Sequence, residues 1–331
     1  MTARIDVHMN LAGVGTRGSG CKTSSEFRRR YSFIFYRLLH KISRKKLETS
    51  ADQDWAELVA KTVRESKEVD YGVVLGFDKV YDENGKHLPR FDQMVVPADW
   101  VFEVCNSYKE LLPCPGLHPY RLDALDALDE LAEKKAVCIK WLPPAQNIDA
   151  SKPQLVPFYK KLADSGIPLL VHTGTEKTFK TQKISRDYID IARLALPLEH
   201  GVKIIAAHSA TGVIGTGEMN QRNLLRQMLA DFPNLWVDNS GICNPGRFFN
   251  LIPLTKCPDI LERTIYGSDF PVPCNAFYYL KDFGARKVFE LERIRNIIDR
   301  DIAIKRRAGY QEETITNAPK VLANLSYWLE R

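Results

Sequence analysis

Three histidines and one aspartate stand where short apolar runs end. Asp6-Val7-His8-Met9-Asn10 closes the first run, and in an extended chain His8 and Asn10 point to the same side. Leu169-Leu170-Val171-His172-Thr173-Gly174 and Ile204-Ile205-Ala206-Ala207-His208-Ser209 repeat the pattern, and Ile265-Tyr266-Gly267-Ser268-Asp269-Phe270-Pro271 supplies the carboxylate. Imidazoles with a carboxylate are the donor set of Zn²⁺ or a similar divalent ion that keeps one position open for water. Such an ion lowers the pKa of that water towards ~7. Asp269 is then the group to take the water's proton, and His208 is either a further ligand or a hydrogen-bond donor to a substrate oxygen.

Lys140, in Val137-Cys138-Ile139-Lys140-Trp141, ends another run. It has three readings: a lysine carboxylated by CO₂ that bridges two metals, a partner for a substrate anion, or a lysine snorkelling at a rim. A lone histidine after an apolar strand is usually a hydrogen-bonded core residue, and His118 in Gly116-Leu117-His118-Pro119 is read that way. Cys21 is read as structural, because nothing near it in sequence lowers a thiol pKa. Arg186 and Arg247 are generic anion binders, read as surface residues. The joint placement of the strand-end set is what makes it chemical.

Those residues need elements that converge. Eight β-branched runs alternate with amphipathic stretches: Arg4 to His8, Tyr71 to Phe77, Cys114 to His118, Ala136 to Trp141, Pro168 to His172, Lys203 to His208, Leu235 to Asn239 and Thr264 to Ser268. Helices are expected at 98–111, 121–134, 153–165, 185–200, 218–231, 287–308 and 311–329. Ser151-Lys152-Pro153 starts one of them and Ser165-Gly166 ends it. Eight strands with intervening helices predict a (β/α)₈ TIM barrel, whose strand ends meet at one mouth.

The chain has 331 residues, 44% of them apolar and 27% charged, enough for one large barrel and too apolar for disorder. We expect a single domain over 1–331. The apolar runs are far shorter than the ~20 residues of a membrane helix, so no membrane span is expected. Seven cysteines, an odd number with no CxxC pair, argue for a reducing compartment and a cytoplasmic protein. The net charge is +6, but residues 28–46 alone hold five Arg and three Lys with no acid, leaving the remainder mildly acidic. Local basicity removes the general case for nucleic-acid binding.

Residues 13–65 interrupt the rhythm as a helical insertion after strand one. They begin with a flexible Gly-rich loop and continue through FRRRYSFIFYRLLHKISRKKLE. Phe33, Tyr36, Leu39 and Leu47 at roughly helical spacing predict a basic amphipathic helix. It is expected as a solvated outer helix or a dimer arm; the other reading is a surface for anionic membrane or a partner, recruited through Arg28 to Arg30.

Together DVHMN, IKWLPPAQNID, PLLVHTG, KIIAAHS, YGSDFP and the late TNAPKVLANL resemble the amidohydrolase superfamily, specifically its amidohydrolase-related (type 2) family, over nearly the whole chain. That resemblance implies the superfamily's distorted barrel, with His8, His172 and Asp269 on the catalytic metal and His208 as ligand or acid/base partner. It also implies hydrolysis, hydration or non-oxidative decarboxylation of a small molecule. One departure stands out, because the family's His-x-His is His8-Met9-Asn10 here, and an amide oxygen is a weaker Zn²⁺ ligand than imidazole. Either Asn10 completes the site, or Lys140 and His208 complete a two-metal site, or the site is weakened in a binding protein that no longer catalyses. The leading expectation is a hydrolase of a C–O or C–N bond, using one divalent ion or two; a decarboxylase is the alternative. Substrate and oligomeric state, a homo-oligomer included, stay open.

Overall fold

Parallel strands buried on both faces read as unbroken apolar runs, and the structure, a computed structural model, uses them so. It describes residues 2–30, 33–34, 37, 43–181, 186–214 and 221–331, apart from the side chains of residues 44 and 186. The strands are β1 Ile5–Asn10, β2 Lys22–Thr23, β3 Tyr71–Leu75, β4 Met94–Val95, β5 Leu111–Cys114, β6 Ile139–Trp141, β7 Leu169–Val171, β8 Ile204–Ala206, β9 Leu235–Asp238 and β10 Thr264–Ile265.

Eight of these form the barrel in two parallel sheets, β1-β3-β5 and β6-β7-β8-β9-β10. Parallel bridges join them at both seams, Met9 with Phe270 and Gly116 with Lys140. Backbone bonds from Asn10 N to the Phe270 oxygen (2.8 Å) and from Lys140 N to the Pro115 oxygen (2.9 Å) reinforce those seams. This is the distorted (β/α)₈ barrel that the strand count predicts. In the larger sheet Trp141, Val171, Ala206 and Val237 stand in one register row. One or two residues further on come His172, His208 and Asp238, so register alone brings them to one end.

Boundaries differ from expectation where local chemistry intervenes. The third barrel strand is Leu111–Cys114 and stops before Pro115, leaving His118 in the loop beyond. The helix expected at 311–329 is three short pieces, Glu313–Thr316, Ala318–Lys320 and Leu325–Leu329. Pro319 lacks the N–H to continue a helix, and Asn324 is left-handed at φ 54°. The span 287–308 is two helices, Ala285–Glu292 and Ile297–Ala308, the second capped by the Asn296 side chain on the backbone N of Ile298 and Asp299. The start of the helix expected at 218–231 lies outside the described residues; Arg222–Asp231 is helical.

The insertion departs furthest from expectation. It holds helices Ser25–Arg28, Arg44–Thr49 and Ala51–Arg64, and also β2, which pairs antiparallel with β4. Its Gly-rich loop is tied down rather than loose: the buried Asp52 carboxylate accepts from Val14 N (2.8 Å), Gly15 N (2.9 Å) and the Ser19 hydroxyl (2.5 Å). Tyr36 and Leu39 of the predicted amphipathic helix lie outside the described residues. Phe27, Phe33, Leu47 and Trp55 turn towards the barrel mouth and line its cavity. These side chains turn to the barrel rather than to solvent, which corrects the solvated outer helix for the described part of the insertion.

Candidate active site

The strand ends bring His8, Asn10, Lys140, His172, His208 and Asp269 to the wall of one cavity of about 840 Å³. Asp238, at the end of β9, organises them. One of its oxygens lies 2.8 Å from His8 Nδ1. The other accepts from the backbone N of His208 (2.8 Å) and from the backbone and hydroxyl of Ser240 (2.9 and 2.5 Å). Burial opposes its charge, but the His8 imidazole and these donors prevail and hold its pKa below the usual carboxylate range. His208, Ser209 and Ala210 take left-handed backbone conformations at φ 58°, 49° and 51°, and Asp269 at 65°. Non-glycine residues rarely adopt these, and such outliers persist where surrounding bonds over-determine them.

The hydrogen bonds fix the tautomers, which are assigned from the network rather than seen. His8 donates from Nδ1 to Asp238, which leaves Nε2 pointing away from that carboxylate. That nitrogen faces Asp269 Oδ1 at 3.5 Å. His208 donates from Nδ1 to the Ser240 backbone oxygen (3.0 Å) or hydroxyl (2.9 Å), and its Nε2 accepts from His172 Nδ1 at 3.1 Å. His172 Nε2 is therefore a bare lone pair: it is buried, has no hydrogen-bond partner, and lies 3.5 Å from Glu176 Oε2. Burial, reinforced by Arg247, pushes the pKa values of His172 and His208 well below the ordinary histidine value, so both rings are neutral.

His172 Nε2 thus stands buried and unpartnered on a cavity wall that His8 and the Asp269 carboxylate share. Imidazole nitrogens and a carboxylate are donors that fit a divalent cation, which His8, His172 and Asp269 would hold. Among the described residues, however, no three His, Cys, Asp or Glu side chains stand as a ready-made ion site.

The remaining predicted residues have other bonds. Asn10 points its amide nitrogen at Asp269 Oδ1 (2.9 Å) and the Phe270 oxygen (3.1 Å), so it holds the carboxylate. Both nitrogens of His208 are engaged. Lys140 Nζ is buried with no hydrogen-bond partner, and burial lowers its pKa. Burial raises that of Asp269, against the pull of His8.

His118 lies away from the cavity, fully buried, and Cys21 is buried beside Ser19, its thiol pushed up to about 12 by burial. Arg247 is corrected from a surface residue: it is 5% exposed, donates to the Thr175 and Thr211 backbone oxygens, and lines the cavity. The Arg186 side chain lies outside the described residues. Sequence reasoning misses Asp238, Ser240 and Glu176. Asp238 carries the same signal as Asp269, an acid at the end of an apolar strand, and Glu176 follows His172 at four residues in the same loop.

A barrel with imidazoles and a carboxylate at its mouth defines a class, the amidohydrolase-like TIM barrels. The amidohydrolase family's sequence profile matches residues 79–295, and the chain belongs to that family. Most members are enzymes acting on small molecules, generally with a divalent metal. Similar solved structures include an uncharacterized TIM-barrel protein from Bordetella bronchiseptica, 14% identical with a TM-score of 0.57, covering 93% of this chain and 99% of that one. An amidohydrolase from Burkholderia multivorans with bound HEPES is 10% identical, TM-score 0.54, over 96% of this chain and 99% of that one. The IDCase of Metarhizium anisopliae in apo form is 13% identical, TM-score 0.53, over 99% of this chain and 97% of that one. No curated protein sequence matches the chain. At these identities the likeness carries the fold. No helix of the described residues is long and apolar enough to cross a membrane.

Proposed function

We propose that this protein is a metal-dependent hydrolase that cleaves a C–O or C–N bond of a small molecule at the barrel mouth. The observation that supports it most is the buried, unpartnered His172 Nε2 on the cavity wall that His8 and Asp269 also line. One Zn²⁺ or similar ion would be held by His8, His172 and Asp269 and would supply a lowered water pKa and a polarised substrate carbonyl.

The chain's own residues do the rest. Asp269, held by the Asn10 amide, receives the proton of the attacking water. His208 fixes the tautomer of His172 and, through Ser240, shares the Asp238 scaffold with His8. Lys140 Nζ is free to donate to an oxygen of the substrate.

The test is turnover of a panel of esters, lactones, amides and aromatic carboxylic acids in ¹⁸O-labelled water, with Asp269→Asn alongside. The account expects one labelled oxygen in the carboxyl group that hydrolysis creates and a loss of about 10²-fold or more in the variant. Release of CO₂ from a carboxylic acid with no label in the organic product assigns a decarboxylase instead, and unchanged turnover in Asp269→Asn overturns the site.

A further inference from the structure

The cavity joins two kinds of surface. The polar side chains of His8, Lys140, His172 and Asp269 stand on the part of its wall formed by the strand ends, with Arg37, Glu176, Lys177 and Arg247 lining it further on. A string of aromatic rings runs from the insertion into the barrel. Phe33 meets Phe27 edge-on with centroids 6.0 Å apart, Phe27 stacks on Phe179 at 5.0 Å and 17°, and Phe179 lies 5.8 Å from Phe77 at the end of β3. The insertion contributes two of the four rings, and the loop after β7 contributes Phe179.

This wall is built rather than incidental. Phe27 is only 5% exposed, and the segment carrying it is pinned to the loop after β7 by Lys180 Nζ to Glu26 (2.9 Å) and by Arg30 to the Lys177 oxygen (3.0 Å). Glu176 holds that loop in turn, accepting from Thr178 N and Phe179 N at 2.5 and 2.9 Å. A volume of about 840 Å³ is that of a drug-sized ligand, several times what a substrate of a few atoms fills. The rings of Phe27, Phe77 and Phe179 offer their faces and edges to an aromatic or aliphatic ligand body.

We propose that the site selects a substrate with a hydrophobic body of two- to three-ring size, seated on the Phe27–Phe179–Phe77 wall, with its reacting group at the strand-end polar groups. The insertion is then the specificity element. This deepens the hydrolase reading and relies on it only for which end reacts.

The test uses the uncharged fluorescent probe N-phenyl-1-naphthylamine on the full chain, with binding read by fluorescence titration. The proposal expects saturable binding of one probe per chain, weakened at least tenfold by Phe27→Asp and, separately, by Phe179→Ser. Phe289→Ser removes an exposed ring outside the cavity and should leave binding unchanged. Only variants with a cooperative thermal transition are compared, and two wall positions guard against one failing to fold. Absence of saturable binding, equal affinity in both wall variants, or equal weakening by Phe289→Ser overturns the proposal. Probe binding as expected without ¹⁸O incorporation leaves the wall standing and removes the hydrolase reading. Labelled hydrolysis by a protein that does not bind the probe does the reverse.

Discussion

Two histidine-bearing strand ends look alike in sequence and differ in what their atoms are bonded to. Beyond β5, His118 donates from Nε2 to the Gln146 oxygen at 2.8 Å, accepts from Tyr120 N at 3.2 Å, and has its own backbone N on Asp78 at 2.9 Å. Every polar atom of the ring is spent. At the mouth, the supporting residues Asp238 and Ser240 are equally spent, but His172 Nε2 and Lys140 Nζ are buried with no hydrogen-bond partner. Buried polar atoms are nearly always paired, so unpaired ones gathered in a cavity mark where a ligand acts. The difference between a structural and a working histidine lies in this accounting, not in the motif.

Three changes break or sharpen that comparison. The largest effect belongs to Asp238→Ala, which strips the acceptor from His8, Ser240 and the His208 backbone at once. Its cost should be about 3–5 kcal/mol by chemical denaturation. A loss under 1 kcal/mol would show that the scaffold does not depend on this carboxylate.

Next comes the pH dependence of His118, whose pKa burial lowers to about 4. The folded state keeps the ring neutral while the unfolded chain protonates it near 6.5. Its contribution is intact above about pH 6.5 and is lost progressively as pH falls to about 4, amounting to about 3 kcal/mol. Melting temperature against pH should therefore fall less steeply for His118→Gln than for the parent in that window. Parallel curves would contradict the assignment.

The smallest effect has the opposite sign. Lys140→Met replaces a buried, unpartnered amine with an apolar side chain of similar length. It should raise stability by about 1 kcal/mol, roughly 1–2 °C in melting temperature, while turnover falls. A variant that loses stability would place Lys140 among the structural residues.

The barrel was legible because its signals are local. Apolar runs such as Leu169–Val171 and Ile204–Ala206 are buried strands in any parallel sheet, and the residue after the run is bound to reach the mouth. The convergence of His8, His172, His208 and Asp269 on one cavity follows from that. What escaped depends on contacts across many residues. Arg247 reads as a surface cation until the backbone oxygens of Thr175 and Thr211 are brought to it. The insertion reads as an outer helix because a stripe of Phe and Leu does not say which surface it covers. That the Asn10 amide nitrogen meets the Asp269 carboxylate is likewise set by residues at the far end of the chain.

The central claim is that His8, the unpartnered His172 nitrogen and the Asp269 carboxylate would together hold a divalent ion. Elemental analysis of protein loaded with Zn²⁺ and then desalted tests it most directly, on the parent, His172→Ala, Asp269→Asn and His118→Gln. The account predicts about one ion per chain in the parent and in His118→Gln, and a small fraction of that in the two site variants. Equal metal content in all four, or a parent that turns over substrate with no ion bound, would contradict it.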